Sequence, residues 1–213
     1  RLREFTDARI GLGRAGISLP TSELLAFQLS HAQARDAVHL PLDIDALCSE
    51  LAADPQLAAL GEPIRLHSQA TDRMTYLQRP DLGRLLDDAS REQLIKLGCE
   101  QPSDLAIVIV DGLSSRAIAQ NAVPFLQRFM GLLASELPEC SLAPLTIVEQ
   151  GRVAVGDDVG ALLNARAVLL LIGERPGLSS PDSLGLYLTW NPNRSTTDAD
   201  RNCISNVRAA GLP

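Results

Sequence analysis

The sequence predicts an α/β fold, an open parallel sheet with flanking helices, preceded by a mostly helical N-terminal lobe. Three observations carry this. Residues 105–110 and 167–172 are unbroken apolar runs bounded by turn-forming residues, the pattern of strands buried on both faces. Stretches with a 3.6-residue apolar period stand between such runs. Before residue 102 the chain is more polar and its periodicity is helical.

Taken in order, "TSELLAFQLSHAQARDAVH" reads as a helix with Thr21 as N-cap and Leu24, Leu25, Phe27 and Leu29 as apolar positions. "DIDALCSELAAD" places Ile44, Leu47, Cys48 and Leu51 on one helical face. The next helical stretch breaks at Pro80 and resumes as two short helices, the second capped by Ser90 and ended by Gly98. "DLAIVIV" is then a strand. "RAIAQNAVPFLQRFMGLLASEL" is a helix in which Pro124 predicts a kink or a boundary. "LAPLTIV" is a second strand, "DDVGALLNA" a short helix and "RAVLLLIG" a third strand. The chain thus divides into a helical lobe, residues 1–101, and a Rossmann-like domain, residues 102–213.

In open α/β sheets, ligands bind beyond the carboxyl ends of the strands. Loops 111–115, 149–157 and 173–183 meet that edge, and all three are rich in Gly, Ser, Arg and acidic residues. The third, in "GERPGLSSPDSLG", runs about ten residues where two to six is usual. Its prolines, glycines and serines make a shaped loop with many hydrogen-bonding groups. Glu149 and Glu174 each end a strand and form a candidate carboxylate pair, or else one of them accepts a hydrogen bond from a ligand. Cys203, in "DADRNCISNVR", is a candidate nucleophile or a small buried residue.

Other chemistries lack their residues. Gly11, Gly13 and Gly16 have the spacing of a dinucleotide-binding loop, the basis of an alternative reading as a stand-alone oxidoreductase. The context opposes it: a charged, non-alternating segment precedes Gly11, and the next helix begins near Thr21. "GLSSP" and "GLSSR" lack the final glycine of a serine-hydrolase elbow. The chain has eighteen arginines and one lysine, Lys96, whose context "LIKLG" is not a phosphate loop. Cys48, Cys99, Cys140 and Cys203 are widely spaced, and His31, His39 and His67 all lie in the first third, so a Cys/His metal cluster is not expected and the thiols read as reduced.

Of the 213 residues 46% are hydrophobic, enough for a sizeable aliphatic core, while aromatics are only 3%. The net charge of −7 opposes nucleic-acid or anionic-membrane affinity. No apolar run approaches the roughly 20 residues of a membrane span, and the first residues lack an apolar signal segment. The closing "RAAGLP" leads us to expect a further C-terminal segment. No residue set forms a complete catalytic apparatus, so the chain reads as a binder of something large and polar.

Several segments together resemble one family. "RIGLGRAGISLPT", "HAQARDAVH", "YLQRPDLGR", "IVIVDGLSS", "IVEQGRVAVGD", "LIGERPGLSSPDSLGLYLTW" and "TDADRNCISNVR" are similar, in this order, to the small subunit of ethanolamine ammonia-lyase. Residues 46–70 carry none of the signature. The resemblance implies an adenosylcobalamin-dependent enzyme that turns ethanolamine into acetaldehyde and ammonia by radical chemistry. It implies a partner, the barrel-type large subunit, that holds the substrate, with this chain covering the corrin at the interface. It implies cofactor contacts at Val153, Glu174 and Cys203. It implies a cytoplasmic setting, often within a bacterial microcompartment. Many cobalamin domains carry D-x-H-x-x-G, whose histidine displaces the cofactor's own base. None of the three histidines has Asp two residues before it, so a base-on cofactor is expected. Arg9 and Arg14 are then expected to meet acidic groups of the large subunit.

Overall fold

The computed structural model describes every residue except Arg1 and Asp7. Its elements run in the order α1 (Thr21–His39), α2 (Ile44–Ala53), α3 (Pro55–Ala58), β1 (Ile64–His67), α4 (Arg73–Gln78), α5 (Asp88–Leu97), β2 (Ser103–Val110), α6 (Ser115–Glu136), β3 (Thr146–Glu149), α7 (Val155–Leu162), β4 (Ala165–Gly173), β5 (Leu184–Trp190) and β6 (Arg201–Val207). The α/β class and the mostly helical first part are as expected.

The six strands lie in the order β1-β3-β2-β4-β5-β6. The first four are parallel, but β5 and β6 are antiparallel additions at one edge, so the sheet is mixed rather than parallel throughout. The 173–183 loop is accordingly a long hairpin connection, not a strand–helix crossover. The expected helical region also contributes β1, whose four residues pair with β3, so the sheet draws strands from both sides of residue 101.

Both faces of the sheet are covered, which is why β2 reads as a continuous apolar run. Leu105, Ile107 and Ile109 face α2, α3 and α6, while Ala106, Val108 and Val110 face α5 and α7. The connection after β2 crosses the first face through α6 and the connection after β3 crosses the second through α7. These neighbouring strands therefore part at their carboxyl ends and open a crevice, the topological switch point of such sheets.

Three local expectations change. Thr21 is the first residue of α1 and makes no capping bond; Pro20 precedes it. Asp87, not Ser90, caps α5, because its carboxylate accepts from the Ser90 amide at 2.7 Å. The Ser90 hydroxyl instead accepts from His67 N at 2.8 Å and ties β1 to α5. Pro124 marks no boundary: α6 continues through it, and its exposed position lets water satisfy the backbone carbonyl that loses its donor. Gly98 does end α5, in the left-handed conformation at φ 63°.

Helix α1 is poorly covered. Ala37 is its one buried residue, while Leu24, Leu25 and Leu29 are exposed and Ile17, just before it, is fully exposed. No helix among the described residues is long and apolar enough to cross a membrane.

Candidate functional site at the carboxyl edge

The three loops do converge. Leu113 N donates to Gly173 O at 2.8 Å, the Ser114 hydroxyl donates to Pro181 O at 2.7 Å, and Gly151 N donates to the Asp111 carboxylate at 3.2 Å. Glycine makes this approach possible: a Cβ on Gly112, which sits at φ 60°, would lie 2.2 Å from Gly173 O. A Cβ on Gly151 would lie 2.5 Å from Val110 Cγ1.

Between the loops lies a cleft of about 390 Å³ bounded by Tyr76, Leu113, Arg152, Val153, Ile172, Gly173, Glu174, Arg175 and Tyr187. Val153 and Glu174 thus share one cleft. Cys203 does not line it; it lies exposed on β6, directly across from Tyr187 on β5. It sits in mid-strand, beside the Tyr187 phenol. Burial first, and Cys203 second, push that phenol up to about 12.

Glu174 is held from three directions. Its Oε1 accepts from the Ser205 hydroxyl at 2.5 Å; its Oε2 accepts from the Ser183 hydroxyl at 2.5 Å and from Asn206 N at 3.2 Å. A carboxylate has about four acceptor positions, so one remains, on Oε1. The absent side chain of Gly185 makes room for this carboxylate, since a Cβ there would lie 2.9 Å from Oε1. Glu149 does not join it. It ends β3, with β2 between β3 and β4, two strand spacings or about 10 Å away across the sheet.

Tyr76 and Arg152, on the cleft wall, belong to a set of charged and aromatic groups. The buried Tyr76 ring carries the Arg152 guanidinium at 4.2 Å and that of Arg73 at 4.8 Å from its centroid. Its hydroxyl donates to Gly151 O at 3.1 Å, and Arg152 Nη2 returns to Tyr76 O at 3.0 Å. Arg152 Nε is buried without a hydrogen-bond partner among the described residues. Asp111 is 2% exposed and lies 3.4 Å from Arg73. Burial pushes its carboxyl up to about 6, against the lowering effect of Arg73 and of nearby backbone amides.

Sequence reasoning missed Tyr76, Arg152, Arg175 and Tyr187 as cleft residues. A signal existed for two of them: the chain has only two tyrosines, and both line this cleft. The glycine segment near the start lies elsewhere. Gly11, Gly13 and Gly16 all have positive φ, but no strand leads into them and α1 starts five residues after the last. Arg9 is engaged within the chain: it donates to the Ser30 hydroxyl at 2.7 Å and to Leu178 O at 3.4 Å. Arg14 is exposed.

The comparisons agree over the whole chain. The family model described as "Ethanolamine ammonia-lyase light chain (EutC)" matches residues 1–213. The ethanolamine ammonia-lyase small subunit of Pseudomonas fluorescens (strain Pf0-1) is 55% identical over 99% of this chain and 75% of its own length. The protein of the same name from Xanthomonas campestris pv. campestris is 56% identical over 100% of this chain and 76% of its own. That from Pseudomonas aeruginosa (strain LESB58) is 54% identical over 99% and 76%. The chain therefore belongs to the ethanolamine ammonia-lyase light chain, or small subunit, family.

Proposed function

We propose that this chain is the cofactor-covering, non-catalytic subunit of an adenosylcobalamin-dependent ethanolamine ammonia-lyase, working with a barrel-type large subunit that holds the substrate. The observation that carries this reading is the carboxyl-edge cleft, where Val153 and Glu174 meet and Cys203 stands behind the Tyr187 wall.

The cleft suits a corrin, whose rim is apolar and bears amide side chains. Val153, Leu113, Ile172 and the tyrosine rings offer apolar surface. The free acceptor position on Glu174 suits an amide N–H, and the Arg175 guanidinium suits an amide oxygen. The buried, unpartnered Nε of Arg152 is the kind of polar atom that a binding site retains. When bound, the cofactor supplies a cobalt–carbon bond whose homolysis yields the radical that starts the reaction. This chain's residues bind the corrin, orient it and keep water from its covered face. The three histidines lie on α1 and at the end of β1, and none lines the cleft, which supports a base-on cofactor. An electron paramagnetic resonance spectrum of the cob(II)alamin form with coupling to a labelled protein histidine nitrogen would contradict that.

The exposed apolar positions of α1 support the first hundred residues as a large-subunit contact, and the exposed Arg14 suits an acidic group there. Cytoplasmic residence, within a bacterial microcompartment, goes with the reading. The glycine spacing near Gly11 does not favour the oxidoreductase alternative.

Two measurements test the proposal. Co-expressed with the large subunit, the chain should copurify with it and the complex should bind cyanocobalamin. Glu174→Gln should weaken that binding about tenfold, the worth of a hydrogen bond to a charged group. Ser205→Ala, which removes only an internal donor to Oε1, should leave it within about twofold. Unchanged affinity in Glu174→Gln would count against the cleft as the cobalamin site. Separately, Leu25→Glu combined with Leu29→Glu should abolish co-elution with the large subunit while leaving the circular dichroism of the chain unchanged, since both side chains are exposed.

A further inference from the structure

We infer that the Arg73–Asp111 ion pair is a positioning device for the cofactor cleft, holding the turn from Gln150 to Val153 at the height where its side chains meet the corrin. The inference rests on the cobalamin reading above.

The pair lies at the crevice between β2 and β3, the place where this topology puts ligands. Arg73 gathers separate segments. Its Nε donates to Val38 O at the end of α1 at 2.6 Å. Its Nη1 reaches Gly112 O at 2.8 Å, the Gln150 side-chain oxygen at 3.2 Å and the Asp111 carboxylate at 3.4 Å. Asp111 in turn accepts from Gly151 N, so the pair grips both Gln150 and Gly151. Gln150 stands at φ 55°, a conformation that needs support in a non-glycine residue. The next two residues, Arg152 and Val153, line the cleft. Tyr76 completes the grip through its hydroxyl on Gly151 O. Gly83 closes the far side, where a Cβ would lie 2.9 Å from Arg152 Cγ and 3.0 Å from Gln150 O.

A fold staple would not need charges. An ion pair with side chains 12% and 2% exposed is a poor source of stability compared with apolar packing, and Arg73 Nη2 is buried with no hydrogen-bond partner among the described residues. Neither residue lines the cleft. Their geometry instead suits a rigid, directional hold on a turn whose next residues bind a ligand. The charged and titratable groups around Asp111 are Arg73 and Tyr76 from α4, and Arg152 from the loop after β3 stacks on the same Tyr76 ring. Glu149 and His67, at the neighbouring strand ends, make no hydrogen bond to it.

The test uses the complex with the large subunit and equilibrium dialysis of cyanocobalamin between about pH 5 and pH 8, the range that spans protonation of Asp111. The native complex should lose affinity about tenfold on going to pH 5, the size of effect seen for groups that orient a ligand-binding residue. Asp111→Asn keeps an acceptor for Gly151 N and removes the charge. It should bind about tenfold more weakly at pH 7.5 and lose most of the pH dependence. Gln150→Asn tolerates the positive φ but withdraws the amide from Arg73, and should bind several-fold more weakly with the native pH profile. Native affinity at pH 7.5 in Asp111→Asn overturns the inference. If that variant fails to assemble, native affinity in Gln150→Asn overturns it alone. A native complex that binds no cyanocobalamin overturns the cobalamin reading and this inference together. Weakening in Glu174→Gln with none in Asp111→Asn removes this inference only.

Discussion

Gly112→Ala is expected to cost about 4 kcal/mol or more of folding stability, and to leave little soluble chain at 37 °C. The added methyl would stand 2.2 Å from Gly173 O and 2.9 Å from Gly173 N, both backbone atoms that cannot swing aside, and 2.5 Å from Ile172 Cγ1. The left-handed backbone at φ 60° adds its own penalty of about 1 kcal/mol. Relief would require β2 and β4 to separate at the end where loops 111–114 and 174–183 are joined by Leu113 N–Gly173 O and Ser114–Pro181 hydrogen bonds. Gly11→Ala is the matched comparison. It also has a positive φ, of 59°, but nothing lies near its missing Cβ, so the loss should be about 1 kcal/mol. Urea denaturation followed by circular dichroism measures both. Two variants with equal midpoints would mean that the loop approach at the carboxyl edge is not tight.

Asp111→Asn is expected to remove the loss of stability that the native chain undergoes as the pH rises through about 6. The sign follows from the direction of the shift. The carboxyl titrates near 6 in the folded chain, above its ordinary value of 3.8, because desolvation outweighs the attraction of Arg73. Below about pH 4 both folded and unfolded chains hold the proton, and the group costs nothing. As the pH rises from 4 to 6 the unfolded chain releases it more readily, and above 6 the full cost is present. Asparagine, like the protonated acid, carries no charge to desolvate. The stability difference between variant and native chain should therefore grow from pH 4.5 to pH 6.5 and then level off. Thermal melts across that range check it. The difference is the quantity to read, because Asp72, Asp81 and Asp104 are held below their ordinary range by hydrogen bonds and move both chains the other way. A difference that stays flat across that range would mean that Asp111 is not held above its ordinary value.

The central strands were legible because burial on both faces writes itself as uninterrupted apolar sequence. β2 and β4 were readable for that reason, and α2 for its one-sided period. Strand β1 was not, because "IRLH" has four residues and only half of them are apolar. Strand β6 escaped because its side chains are mostly exposed, so "RNCISNV" carries no core signature. Strand β5, "LGLYLTW", was not read as a strand either, so the antiparallel edge was missed, and with it the wall that Tyr187 and Cys203 build. Val153 and Glu174 could be assigned to one edge because each lies in the loop after a recognisable strand. Arg73 and Tyr76 could not, since α4 reaches the crevice through tertiary packing alone and nothing in "DRMTYLQRP" states its destination.

The pairing of β1 with β3 has a consequence in time. Ile64 lies beside Thr146, roughly eighty residues further along the chain. At bacterial synthesis rates of about 5–20 residues per second, β1 leaves the ribosome some 4–16 s before its neighbour exists. The sheet cannot be assembled from its first strand outward. Strand β1 can join the sheet only once β3, the strand it pairs with, has emerged. A slow codon cluster between α6 and β3 would lengthen that wait, and a nascent-chain protease assay would see residues 64–67 cut until β3 clears the exit tunnel.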